Sequence, residues 1–126
     1  MERLIKVCFE LLGTKMLPKE ISQVTGISPS LELRRGESNE SRVVPRQNIW
    51  SLDSELESCD VAEHWEKLRP ILIEARDTIR EIAKSGKAKF TIVVESQHRL
   101  PSIQIPSSMA EFAGFVNAMI DIDHLQ

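Results

Sequence analysis

Tyrosine is absent from this chain of 126 residues, and aromatic side chains make up only 5% of it. The large pieces of any core are therefore Trp50, Trp65 and four phenylalanines, and the remainder must come from Ile, Leu, Val and Met. Cysteine is almost as scarce. Cys8 and Cys59 lie far apart, so no CxxC and no zinc-ligand pair arises. Cys8 sits in an apolar stretch and reads as a buried thiol. Cys59 sits among acids, where a thiolate is disfavoured. Two idle thiols are the simpler reading, with a disulfide as the other.

No stretch approaches the ~20 apolar residues needed to cross a membrane. Met1-Glu2-Arg3 opens no signal peptide, because Lys6 and Glu10 interrupt the apolar run and no small-residue cleavage site follows. The expectation is a cytoplasmic chain. An excess of positive charge is missing too. The net charge is −3 and the pI about 5.6, which speaks against nucleic acid as the main partner, since that affinity comes largely from clustered Lys and Arg on phosphates. A basic protein partner suits the balance better.

Catalytic signatures are missing as well. There is no GxSxG, HExxH, GxxxxGK[ST] or GxGxxG. His64, His98 and His124 share no metal spacing. Asp121, Asp123 and His124 come nearest to a ligand set, but a hard cation would need further oxygens, and a solvated strand face accounts for the two aspartates. The expected catalytic, cofactor and metal sites are therefore none, and the question of an enzyme leans towards no.

What is present is a globular composition, 41% hydrophobic and 28% charged, of the size of one domain spanning residues 1–126. Ile5, Val7, Phe9 and Leu11 alternate with Lys6, Cys8 and Glu10 and predict a strand over 4–12 with one buried face. Residues 17–26 predict a short helix, with Pro18 in its first turn and Gly26 as a left-handed cap. Short strands are expected at 31–33 and 49–52, separated by a long polar loop over 36–48. Residues 53–60 read as a second, acidic and flexible loop. Asp60 and Glu63 then make a variant capping box. Val61, Trp65, Leu68, Leu72, Ala75, Ile79 and Ile82 recur at spacings of four and three, predicting one long helix with a kink at Pro70. His64, one position before Trp65, is placed at the solvent edge of that helix. Phe90, Ile92 and Val94 predict a central strand, 96–100 a turn, and Ile103 with Ile105 another short strand. Ser108 and Glu111 make a capping box for a third helix ending at Gly114, and Ala118, Ile120 and Ile122 a closing strand. The fold class expected is α+β, a mostly antiparallel sheet of about five to six strands covered by one long helix and two short helices.

Several of these pieces together resemble a known family. Gly13, then Leu17-Pro18-Lys19-Glu20-Ile21, then Gly26-Ile27-Ser28-Pro29-Ser30, then Arg35-Gly36-Glu37, then Trp50-Ser51-Leu52 are similar in order and spacing to the bacterial domain of unknown function family 4279. Leu100-Pro101-Ser102-Ile103-Gln104-Ile105 and Ile120-Asp121-Ile122-Asp123 resemble its later strands. The resemblance covers nearly the whole chain and implies no activity or catalytic residue. Arg35, Gly36 and Trp50 match recurrent positions that fit structural roles. By analogy with small bacterial domains of this kind, the resemblance implies an immunity-type protein that neutralises a toxin.

Two charged patches supply candidate surfaces. Asp53, Glu55, Glu57, Asp60 and Glu63 form an acidic one, expected to meet a protein partner such as a basic toxin. Arg34, Arg35, Arg42 and Arg46 make the long loop basic; Arg34, Arg35 or Arg46 reading an anion is the alternative, which makes the chain a small-molecule binding domain or an enzyme of unknown reaction. Two solvated loops are the usual reading of such patches, and a dipolar recognition surface is the sharper one. A subunit of a homo-oligomeric assembly, paired through an exposed strand edge, is the third reading.

Overall fold

A computed structural model describes residues 4–37, 44–95 and 102–125. Arg42 of the basic loop, the turn over 96–100 with His98, and Leu100 and Pro101 lie outside the described residues. The elements in chain order are β1 (Leu4–Leu12), α1 (Pro18–Thr25), β2 (Leu31–Leu33), β3 (Ile49–Asp53), α2 (Val61–Glu74), α3 (Arg76–Ala83), β4 (Lys87–Glu95), α4 (Ser107–Phe115) and β5 (Ala118–Leu125). The fold is α+β, and its five-stranded sheet has the order β2-β3-β1-β4-β5. Every neighbouring pair is antiparallel except β4 and β5, which run parallel with α4 as the crossover between them.

β1 lies at the centre of the sheet. Its alternation of side chains places Ile5, Val7, Phe9 and Leu11 on the helix side, all at most 2% exposed. Phe9 faces Phe90 of β4 and Leu52 of β3 across the ladder. Neighbouring ring centroids among Phe9, Phe90, Phe112 and Trp65 lie 5.0 to 6.0 Å apart, in mostly edge-to-face arrangements that suit the ring quadrupoles. Both tryptophans are fully buried, and each indole N–H donates to a serine hydroxyl: Trp50 to Ser22 at 3.1 Å and Trp65 to Ser108 at 2.7 Å. The second bond ties α2 to α4.

The helical stripe from Val61 to Ile82 packs on the sheet as its spacing predicts, buried at every position but the half-buried Ala75. It belongs to two helices, however, not one. The break falls at Ala75 (φ −101°, ψ 13°), whose N–H turns back to Leu72, while Ile79 starts the next ladder on the Ala75 carbonyl. Pro70 lies inside α2 on its exposed side, where water can serve the carbonyl that loses its partner. The physical reason for a break is phase. A straight helix drifts by ~20° per heptad away from a seven-residue apolar repeat, and restarting at Ala75 brings Ile79 and Ile82 back onto the core.

Three further expectations need correction. Among the described residues Ile103 and Ile105 pair with no strand; they are half-buried plugs packed against the core ahead of Pro106. α4 has no side-chain cap, because its N-cap is Pro106; Ser108 lies inside the first turn, where its hydroxyl accepts the Trp65 N–H, and the helix runs past Gly114 to Phe115. Asn117, at φ 60°, then supplies the left-handed residue before β5. α1 matches its expected span, capped by Gly26 at φ 72°.

Gly86, between α3 and β4, has no room for a side chain. A Cβ there would fall 2.8 Å from the Gly13 carbonyl carbon and 2.9 Å from the Thr14 nitrogen, and closer still to the Leu12 carbonyl oxygen. Backbone cannot swing aside as a side chain can. Gly86→Ala is expected to lower unfolding stability by about 1–3 kcal/mol through overpacking, measured by urea unfolding, with Gly114→Ala, which meets open space, as the control.

Candidate functional site

The helices cover one face of the sheet. On the other, the register sets out the side chains in rows. Asp53 of β3, Cys8 of β1, Thr91 of β4 and Asp121 of β5 share one row; Lys6, Val93 and Asp123 share the next. After β3 the chain keeps contact with β1, since the Ser54 N–H donates to the Val7 carbonyl and Ser58 bridges to Ile5. Residues 53–57 thereby form a wall, and between this wall and the strands lies a groove of about 510 Å³. Lys6, Cys8, Thr91 and Val93 line its floor; Asp53, Glu55, Leu56 and Glu57 line its side.

The acidic segment is a loop, as expected, but one tied to β1 and to α2. Its anchor is His64, expected at the solvent edge of its helix and in fact fully buried. The Nδ1 of His64 lies 2.5 Å from the Ser54 hydroxyl, and Nε2 lies 2.9 Å from the Ser58 carbonyl oxygen. A carbonyl can only accept, so Nε2 carries the proton, and in the neutral ring the Ser54 hydroxyl donates to Nδ1. One imidazole thus holds both ends of the wall. The signal was in the sequence: position 64 is three after Val61 and four before Leu68, on the buried stripe and not beside it. A hydroxyl donating to histidine is also what a serine nucleophile needs. Ser54 borders the groove, but it is only 2% exposed and the ring is fully buried, so the pair fixes the wall.

The five acidic candidates divide. Asp53, Glu55 and Glu57 line the groove. Asp60 and Glu63 do not. Asp60 caps α2 by accepting the Ala62 N–H at 3.0 Å, and Glu63 accepts the Ser58 hydroxyl at 2.9 Å instead of closing the capping box. Both have structural duties. Sequence reasoning missed Lys6, Cys8, Thr91 and Val93, which only the cross-strand register gathers on the floor.

The groove is short of positive charge. Burial first, and then the carboxylates of Glu55 and Glu10, raise the Asp53 carboxyl above its ordinary value; the Cys8 thiol and Lys6 oppose this more weakly. Burial, followed by Glu10 and Asp53, pushes the Cys8 thiol up to about 12, so it stays protonated and is a poor nucleophile at neutral pH. The Thr91 hydroxyl donates to Glu10 at 2.5 Å. Among the described residues no three His, Cys, Asp or Glu side chains are grouped to hold a metal ion. Asp121 and Asp123 share the open face, whereas alternation puts His124 on the opposite one.

The basic candidates do not converge on a cavity. Arg34 lines a smaller hollow of about 160 Å³ together with Lys19, Glu32 and Glu37, so two carboxylates share the space an anion would need. The Arg35 N–H donates to the Asn48 side chain at 2.8 Å, a turn contact, and Arg46 is exposed.

The sequence model of the family described as Domain of unknown function (DUF4279) matches residues 3–126. The chain belongs to this family. The match spans every element from β1 to β5, and the resemblance seen in the early turns is carried through the whole domain. No curated protein and no solved structure matches the chain.

Two outcomes test the site. Ser54→Ala leaves a buried imidazole nitrogen without its donor, and is expected to cost about 1–3 kcal/mol of stability in urea unfolding. For Asp53 the sign comes from linkage. A carboxyl whose folded pKa lies above its unfolded value destabilises the fold when ionised, so stability declines as pH rises through the window between the two. Asp53→Asn is expected to raise the thermal midpoint at pH 7, with the difference vanishing once pH falls below the ordinary carboxylate range.

Proposed function

We propose that this DUF4279 domain is a protein-binding module, and that its partner places a basic side chain in the groove beside Asp53, Glu55 and Glu57. The observation that carries this is the anchored acidic wall. Three carboxylates line a concavity of about 510 Å³, on a backbone segment that a buried histidine ties at Ser54 and Ser58. Pre-organised charge loses little on binding, and it steers a partner of opposite sign. The raised Asp53 carboxyl adds a reason for a cation: a guanidinium or ammonium brought alongside would relieve the repulsion from Glu55 and Glu10.

The buried Ser54 hydroxyl and the protonated Cys8 thiol favour binding over catalysis. No helix among the described residues is long and apolar enough to cross a membrane. Within the binding reading, the acidic surface suits a basic partner, and by analogy alone the role would be that of a cytoplasmic immunity-type protein that occludes the active surface of a basic toxin.

The test is affinity capture from the source cells with tagged wild type and with Glu55→Lys/Glu57→Lys. A single stoichiometric basic protein is expected on the wild type. Its association rate should fall by about tenfold or more in the variant, the loss shrinking as salt is raised. Equal retention by both proteins would remove the groove as the binding site.

A further inference from the structure

The sheet has one long open edge. β2, at one margin, is only three residues long, but β5 at the other has eight and pairs with β4 alone among the described residues. A strand edge offers unpaired N–H and C=O groups to any extended chain, and natural folds guard it with proline, bulges or a covering element. Ala118–Leu125 contains no proline and no lysine. What it does carry is sorted by face. Met119, Asp121, Asp123 and Leu125 stand on the open face, all exposed; Ile120, Ile122 and His124 stand on the helix side. Ile122 is 42% exposed there, so no helix covers the apolar side of the margin at that point.

We infer that the β5 edge receives an extended segment of a partner protein, added as a sixth strand, with Lys or Arg at alternate positions on the open face and aliphatic residues between them on the helix side. Charge selects this occupant. A strand beside β5 sets its open-face side chains about 5 Å from Asp121 and Asp123, where opposite charges stabilise and like charges destabilise. Two copies of this chain pairing edge to edge, antiparallel about Ile122, would bring the same aspartates against one another. The aspartates therefore work against self-assembly, the other use of an open edge, and towards a basic strand. On the helix side, the aliphatic residues of the incoming segment would cover Ile122. Main-chain hydrogen bonds would supply affinity, and the alternation would supply specificity. This surface is a different element from the groove and does not depend on it.

The test uses three synthetic blocked heptapeptides: alternating lysine and valine, the same with glutamate for lysine, and the lysine peptide with alternate backbone amides methylated. Amide hydrogen exchange of residues 119–124 is the readout, with the peptide in excess. The lysine peptide is expected to slow exchange there, and the glutamate and methylated peptides are not. Asp121→Asn/Asp123→Asn should weaken the lysine peptide roughly fivefold, two cross-strand charge pairs being lost. Asp53→Asn/Glu55→Gln/Glu57→Gln should leave it unchanged, which separates this edge from the groove. Asp121→Lys, which would set Lys against Asp in the self-paired arrangement, should dimerise more than wild type in light scattering. No slowing at β5, slowing that ignores peptide charge or backbone methylation, or a wild-type dimer already protected along β5 would each overturn the inference.

Discussion

The contact of Phe9 with Phe90 governs both faces of this sheet. The two rings face each other across the central ladder, and Trp65 and Phe112 close over them from α2 and α4. Side chains alternate along a strand, so a slip of one residue between β1 and β4 would turn every one of them to the other face. It would expel the rings and bury Lys6 and Glu10. The aromatic cluster thereby fixes the register, and the register in turn places Cys8, Lys6, Thr91 and Val93 on the open face as a groove floor. The groove is a consequence of core packing on the far side of the sheet.

The same logic separates what could be read in the sequence from what could not. Period-two and heptad-like patterns report burial, and they located β1, β3, β4, β5 and the stripe from Val61 to Ile82 closely. They are silent about partners. Ile103 and Ile105 alternate like a strand but pair with none among the described residues, and periodicity cannot tell an extended plug from a ladder. Nor could it show that β5 runs parallel to β4, because that depends on the α4 crossover. The division at Ala75 was hidden because a repeat of seven is compatible with a supercoiled helix or with two straight ones. His64 was misplaced by reading it against Trp65 alone, when its spacing to Val61 and Leu68 put it inside.

The candidate site was legible in charge but not in geometry. Composition marked Asp53, Glu55, Glu57, Asp60 and Glu63 as one acidic group, and the fold gives them two employments. Two serve the start of α2, and three face the groove. The difference arises from Ser54 and Ser58, whose bonds to one imidazole decide where the wall begins and ends. Nothing in the spacing of serines and a histidine distinguishes such a clasp from a scatter of polar residues, since the contact exists only once α2 lies on the sheet. The basic residues show the converse. Arg34 and Arg35 adjoin in sequence, yet one faces two glutamates and the other serves a turn.

The parallel pairing of β5 bears on how the sheet is assembled. Antiparallel neighbours can in general be joined by a tight turn, but a parallel neighbour cannot. The chain must leave the end of β4, organise α4 over the aromatic cluster and return before the first rung between Ala88 and Ala118 can form. That closure is costly in chain entropy and is repaid only when Phe112 and Met109 are already in place. On this account β5 joins the sheet as one unit with β4 and α4, since its rungs to β4 close a shorter stretch of chain than any rung between β1 and β4. A change that displaces α4 would loosen β5 while the four-stranded antiparallel body stays intact.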